Sequence, residues 1–527
     1  MPNPDELFHL ALEHHQRGQF QQAIAVYDQV LALAPDNVEA YYNQAIALSR
    51  LGRRGEALKN YERAITLQAN SHLLHFGRGN ELDALGRYEE ALASYERASN
   101  FKPDFFEAYD NRGNVLSKLN RHEEALVNHE RGIALRPEIA ELHYNRGHVL
   151  AELSRYDEAL ASYDRAIALK PDYAEAYHNR GFVLRNLGFI EEALAAHERA
   201  IALNPRNALA LYSKALIQLL FGNYTHGFAL YEWRLRGGIP RKFREFTQPR
   251  WHGEITDQIV LLHAEQGLGD SIQMLRYLPL VKARAPQLVL DVPTILHPLL
   301  GSFVEGLSLV QNSGALPPFD LHCPLMSLPF AFGTTFDTIP ARVPYLTAPA
   351  ERLPKWRARL PVSAKPRVGL VWSTSPNPYA RHRNIALESL VPLLRLEGFS
   401  FVSLQLEYRE HDLPLLAQLP IERIDDAIAD FGDTAAAIEQ CDLVISVDTA
   451  VAHLTGALGK ALWVLLPFVA DWRWSRNRND SPWYPTARLF RQTRRDDWEG
   501  VIASVLEALP AWRNQELAFK TYNSPPS

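Results

Sequence analysis

"YNRGHVLAELSRYDEALASYDRAIALKP", residues 144–171, holds the marker residues of one unit of a pattern that recurs through the first 236 residues. Small residues stand at Ala11, Ala45, Gly79, Gly113, Gly147, Gly181 and Ala215, each 34 residues after the last. A second series keeps the same step: Ala23, Ala57, Ala91, Ala125, Ala159, Ala193 and Gly227. Four residues beyond each of these is a ring: Tyr27, Tyr61, Tyr95, His129, Tyr163, His197 or Tyr231. Pro35, Pro103, Pro137, Pro171 and Pro205 close the units, and Ala69 is the one lapse. Small residues let two helices approach, the ring fills the gap between units, and proline ends the second helix. A fixed period of this length is the signature of stacked helix pairs.

Several independent positions sharing one period resemble the tetratricopeptide repeat over about six and a half units. The resemblance implies a superhelix with a long groove that grips a partner. Asn43, Asn111, Asn145 and Asn179 form a further row, broken at Gly77, on the side opposite the packing stripe. An amide offers donor and acceptor together and so matches a peptide group. The row resembles the asparagine ladder of nucleocytoplasmic O-GlcNAc transferases, which implies a polypeptide acceptor in the groove. The alternative is that asparagine is a tolerated polar residue in the common "YxNRG" form of this repeat.

The remainder of the 527 residues reads differently. With 47% hydrophobic and 22% charged residues and a net charge of −6, the chain has globular composition and no basic footprint for nucleic acid. Two cysteines, Cys323 and Cys441, make no disulfide framework, and a reducing, cytoplasmic compartment fits. The N-terminus does not read as a signal peptide, and no stretch reads as a transmembrane segment. After a basic, proline-marked junction at 237–257, strands at 258–263 and 287–292 alternate with helices at 269–284 and 294–300, and the later part to 336 is loop-rich. A proline-rich crossing at 337–366 leads to "RVGLVW", "FSFVSLQL", "DLVISV" and "ALWVLL", short apolar runs with helical patterns between most of them. Such strands argue for a parallel sheet covered on both faces. Final helices run from about 497 to 518, with a tail at 519–527.

In open α/β sheets ligands collect beyond the carboxyl ends of the strands. "DLVISVDTAVAH" is such a place: Thr449 and His453 share a helix face, and free N–H groups there suit a diphosphate. Read without context, Asp448 or Thr449 is a helix cap. "VDTAVAH" resembles the donor-site motif of bacterial heptosyltransferases, with Asp448, Thr449 and His453 in register and Ala450 where glycine is often seen. That resemblance implies two Rossmann-type halves facing a cleft, the architecture called GT-B, with 258–336 as the acceptor half and 367–518 as the nucleotide-sugar half. It implies donor contacts from Trp372, Ser373, Arg383, Asn384 and Gln405, with Arg381 competing with Arg383.

The same family carries a catalytic aspartate in a G-D pair at the end of its first strand, and "GLGDSIQMLRYLP" matches at Asp270. A carboxylate facing the cleft is suited to take the proton of an acceptor hydroxyl, and the helix N-terminus favours its ionised form. Gln266, Gly267 and Gly269 would line the cleft, the glycines fitting either a tight turn or close approach of substrate. In "PFVADWRWSRNRNDSPWYP", Trp472, Trp474, Trp483 and Tyr484 read either as cleft-lining rings or as packing for a rigid loop.

The chain contains no Asp-x-Asp pair and no H-E-x-x-H, so no metal or other cofactor is expected. The resulting expectation is an inverting glycosyltransferase that moves a sugar from a nucleotide to a serine or threonine of a protein held by the array. Flagellin and other surface proteins are the acceptors that resemblance implies. Two alternatives stay open: the same chemistry on a lipopolysaccharide or capsule precursor, and a scaffold whose α/β portion has lost activity.

Overall fold

In a computed structural model, residues 3–237, 244–303, 307–310, 316–374 and 382–523 are described. The chain divides into two compact units, Met1–Pro205 and Arg206–Ser527.

The first unit is built from antiparallel helix pairs of 13 or 14 residues each, from Pro4–Gln16 through Ile190–Leu203. The positions of the 34-residue series are its interior: Ala11, Ala45, Ala57, Ala91, Tyr95, Ala159 and Tyr163 are all buried. The need for small residues is steric. A Cβ on Gly79 would lie 2.6 Å from Tyr95 Cε1, and one on Gly147 would lie 2.9 Å from Tyr163 Cε1.

Two of the ring positions depart from tyrosine, and one has a consequence for pH. His178 and His197 pack with ring centroids 5.3 Å apart and planes tilted by 44° inside the last helix pair of this unit. Burial lowers His178 to about 4; burial, aided by His178 and Arg185, lowers His197 to about 3. Their folded values lie below the unfolded one, so the unfolded chain takes up protons first. The stability they allow is intact above about pH 6.5 and is lost as pH falls toward the folded values. Lowering pH from 7.5 to 5 should cost on the order of 2 kcal/mol for each ring, about 4 kcal/mol for the pair. In circular-dichroism melts, His197→Tyr, which restores the commoner ring, should flatten that dependence; an unchanged slope would assign it elsewhere.

The second unit begins with one more helix pair, Ala208–Leu220 and Tyr224–Tyr231, so the compact division falls a full repeat earlier than the end of the period. The cause is aromatic packing. Trp472 meets Tyr224, Phe228, Tyr231 and Trp483 edge to face, and Arg234, fully buried, donates to Glu232 at 2.8 Å, Glu265 at 2.7 Å and Ser327 at 2.8 Å.

Two parallel sheets follow. The first holds β1 (Val260–His263), β2 (Leu288–Asp291), β3 (Leu307–Leu309) and β4 (Leu321–Pro324) in the order β3-β2-β1-β4. The second holds β5 (Arg367–Val371), β6 (Ser400–Ser403), β7 (Ile421–Arg423), β8 (Leu443–Val447), β9 (Leu462–Leu466) and β10 (Ala487–Arg491) in the order β10-β9-β8-β5-β6-β7. Counted within each sheet, both follow the doubly wound order 3-2-1-4, which the second continues with its fifth and sixth strands. Strand order therefore reverses between β1 and β4, and again between β5 and β8.

Several sequence expectations need correction. The loop-rich stretch before 336 contains β4, whose Pro324 breaks the apolar pattern at its last residue. The expected helix 269–284 is interrupted by a tight 3-10 turn at Leu275–Tyr277, and 294–300 is 3-10 rather than α-helical. The crossing at 337–366 carries a helix, Leu353–Arg359. The final helices are one helix, Trp498–Asn523, which runs past 518. β3, β7 and β10 were not read as strands because β3 is only three residues, and the edge strands β7 and β10 lack a continuous apolar run. Among the described residues no helix is long and apolar enough to cross a membrane.

Candidate functional site

A cavity of about 660 Å³ opens in the second unit where the carboxyl ends of β1, β5 and β8 converge. From the first sheet come Gln266, Gly267, Gly269 and Asp270; from the second come Ser373, Arg383, Gln405, Asp448, Thr449 and His453. Both reversals of strand order thus face one space. Gly269 marks the closest approach between the two sides: a Cβ there would stand 2.7 Å from His453 Cδ2 and 3.4 Å from Ala450 Cα. Glycine is required at this position by proximity alone.

Asp270 both caps its helix and faces the cavity. Oδ2 accepts the Gly267 N–H at 2.8 Å, and Oδ1 accepts from Arg473 Nη2 at 2.5 Å. Arg473 is almost wholly buried. Its Nη1 donates to Asp471 at 2.8 Å, its Nε to Gln273 at 2.7 Å, and its plane lies 4.4 Å from the Trp472 ring centre. Burial would raise Asp471, but Arg473 and Arg383 outweigh it and hold the carboxyl near 2. Farther along the wall, Arg383 Nη1 meets Asp448 Oδ2 at 2.9 Å. Asp270, Arg473, Asp471, Arg383 and Asp448 therefore alternate in charge across the cavity.

The helix Ala450–Ala457 starts at the end of β8 with no side-chain cap. Thr449 instead shares a hydrogen bond with Ser446 at 3.0 Å, and Asp448 is engaged by Arg383, so the cap reading of these two residues does not hold. Open backbone donors at a helix start favour an anion. His453 projects from the same helix, stacked on Trp474, with Nδ1 2.8 Å from the Tyr484 hydroxyl and Nε2 3.8 Å from Asp448. Burial, reinforced by Arg473, lowers it to about 3. It is neutral, and its neighbours favour the tautomer in which Nδ1 accepts from Tyr484 and Nε2–H faces the cavity.

Other expected contacts sit elsewhere. Trp372 belongs to the core of the second sheet, with Nε1 3.4 Å from Asp412. Asn384 is absent from the wall and supports it by accepting from the Thr374 N–H at 2.8 Å. Gln405 does line the cavity, accepting from the Trp372 and Ser373 N–H groups and donating to the Ser373 and Glu407 carbonyls. Of the aromatic segment only Trp472 reaches the wall; Trp474, Trp483 and Tyr484 are buried behind it as packing. Arg381 lies outside the described residues.

Arg473, Asp471, Tyr212, Leu216 and Glu407 line the cavity without a sequence reading that placed them there, and Tyr231, read only as a repeat ring, lines it as well. An arginine between two tryptophans, in "DWRW", was the available signal for the first two. Tyr231 bonds Gln266 Nε2 at 3.0 Å, which fixes the last helix pair to the first sheet's loop.

In the first unit each asparagine of the row makes one intramolecular bond. Asn43 Nδ2 donates to the Glu39 carbonyl at 2.9 Å. Asn111 donates to Asn80 at 2.8 Å, Asn145 to Asp110 at 2.9 Å and Asn179 to the Tyr144 hydroxyl at 3.1 Å. Three of the four tie one repeat to the next. Each of these bonds uses one N–H of the amide, and Asn111 and Asn145 also line a second cavity.

Comparison with known proteins agrees with the helix pairs. Profiles described as TPR repeat match residues 11–52, 79–120, 113–154 and 147–188, and profiles of the tetratricopeptide repeat match 38–71 and 174–207. The N-terminal helices are tetratricopeptide repeats. Protein FlbA of Caulobacter vibrioides is 28% identical over 326 residues, which is 56% of this chain and 54% of that protein. The chain thus spans about half the length of that curated relative. Among solved structures, YrrB, described as a TPR protein with an unusual peptide-binding site, is 27% identical and covers 36% of this chain and 98% of its own, with a TM-score of 0.33. MamA residues 41 to the end, from Desulfovibrio magneticus RS-1, is 21% identical and covers 32% and 96%, with a TM-score of 0.31.

Proposed function

We propose that the second unit is an inverting glycosyltransferase of GT-B type, using a nucleotide-sugar donor, and that the tetratricopeptide repeats hold a polypeptide acceptor. The observation that carries this reading is the meeting of Asp270 and the uncapped helix start at Thr449 on one cavity, each beside a reversal of strand order. The diphosphate would occupy the donors of residues 450–452, with the neutral His453 Nε2–H beside them and Arg383 drawn from Asp448 toward the phosphates. The acceptor hydroxyl attacks the anomeric carbon and its proton passes to Asp270. The bond from that carbon to the phosphate oxygen breaks, and the electron pair leaves with the nucleoside diphosphate. One base and one displacement invert the centre. Arg383 and the helix start compensate the charge that develops on the leaving group. No metal enters this scheme.

The test is a thermal-shift series on the full chain with nucleoside diphosphates and nucleotide sugars, with and without chelator. A ligand present at a hundred times its Kd should stabilise the second unit by about 2.7 kcal/mol. If no nucleotide raises the melting temperature, the donor assignment fails. A shift abolished by chelator would instead require a metal.

A further inference from the structure

The first unit contains a cavity of about 550 Å³ whose origin lies in one departure from the repeat. In the preceding unit Tyr95 packs on Gly79 and its hydroxyl donates to Asn80 Oδ1 at 2.9 Å, which also receives Asn111 Nδ2 at 2.8 Å. One period later the ring is His129. It packs on Gly113 in the same manner, with Cε1 and Nε2 each 2.7 Å from where a Cβ would stand, but it stops short of the phenol oxygen. Asn114, the equivalent of Asn80, loses that donor. It also loses the second, because Asn145 turns to Asp110 Oδ1, which His129 Nδ1 approaches at 3.0 Å.

The space is lined by His129, Asn114, Ser117, Lys118, Asn111 and Asn145 among others. His129 is fully buried and its Nε2 has no hydrogen-bond partner; the buried Ser117 hydroxyl has none either. In the tautomer that directs Nδ1–H at Asp110, Nε2 presents a lone pair. Asn114 adds an amide acceptor and donor, while Lys118, paired with Asp83 at 2.6 Å, places a cation on the rim. A group that donates two N–H bonds and accepts one satisfies this wall, and a primary carboxamide does so without bringing charge into it.

We infer that the His129 cavity is a side-chain pocket for an asparagine or glutamine of the bound polypeptide. This rests on the reading that the array holds a polypeptide, and it adds a side-chain preference that an amide row matching peptide groups would not supply. The probe is a set of fluorescent nonapeptide libraries with randomised flanks and a central Gln, Leu, Glu or Arg, measured by anisotropy against the full chain. The central-Gln library should bind about tenfold tighter than the central-Leu library. His129→Tyr, the residue other repeats carry here, should remove that preference while leaving helicity and melting temperature unchanged. Asn114→Ala should reduce the preference without filling the space. Equal binding of all four libraries, or an undiminished Gln preference in His129→Tyr, overturns the pocket and leaves the polypeptide reading intact. Absence of binding by every library overturns both.

Discussion

Asp270→Asn should reduce sugar transfer by about 10³-fold while donor affinity stays within twofold, because the amide keeps the shape but cannot take a proton. The single carbonyl oxygen of Asn can accept from the Gly267 N–H or from Arg473 but not from both, and its NH2 group meets the other donor, so a melt of the variant accompanies the assay to show that the helix start persists. Single-turnover transfer and donor titration separate the two effects. Unchanged turnover would remove Asp270 from the chemistry and leave it as a cap alone.

Arg473→Met should be the most damaging single change in the second unit. The side chain is 7% exposed and holds Asp270, Asp471 and Gln273 at once. Removing it leaves the Asp270 and Asp471 carboxylates, 23% and 19% exposed on the cavity wall, without their shared cation. Breaking a buried pair from one side costs about 3–5 kcal/mol. Denaturant unfolding followed by tryptophan fluorescence would read this, since Trp472 and Trp474 flank the site. Replacing Asp471 as well, by Asn, should recover part of the loss. A single variant as stable as the parent would mean that the two carboxylates are solvated or protonated without cost.

How much of this was legible depends on what each residue reports. The repeats were readable because small residues, rings and prolines are separate steric demands that share one period. β5, β8 and β9 were readable because both faces are covered, so nearly every residue is apolar. β7, "IER", was not, since an edge strand with two exposed residues carries no such run. At the site, Asp270, Asp448, Thr449 and His453 could be placed because strand ends and helix starts are set by local sequence. Which ring of "DWRW…PWY" faces the cavity was not, because a loop has no period from which to read a face. Arg473 escaped for a related reason: its meaning comes from Asp270 and Gln273, about 200 positions away. The asparagine row was legible as a spacing, but the bonds that Asn111, Asn145 and Asn179 make to neighbouring repeats come from residues 31 to 35 positions away and could not be read locally.

The helix pair Ala208–Leu220 and Tyr224–Tyr231 keeps the repeat's rhythm yet belongs to the second compact unit and supplies Tyr212, Leu216 and Tyr231 to the cavity. Modularity in this protein therefore has a seam that periodicity misplaces. A hybrid spliced after Pro205 would inherit a complete chamber along with any foreign set of repeats. One spliced at 236 would exchange a wall of that chamber for a stranger's, and lineages that trade arrays by recombination would be expected to preserve the earlier breakpoint.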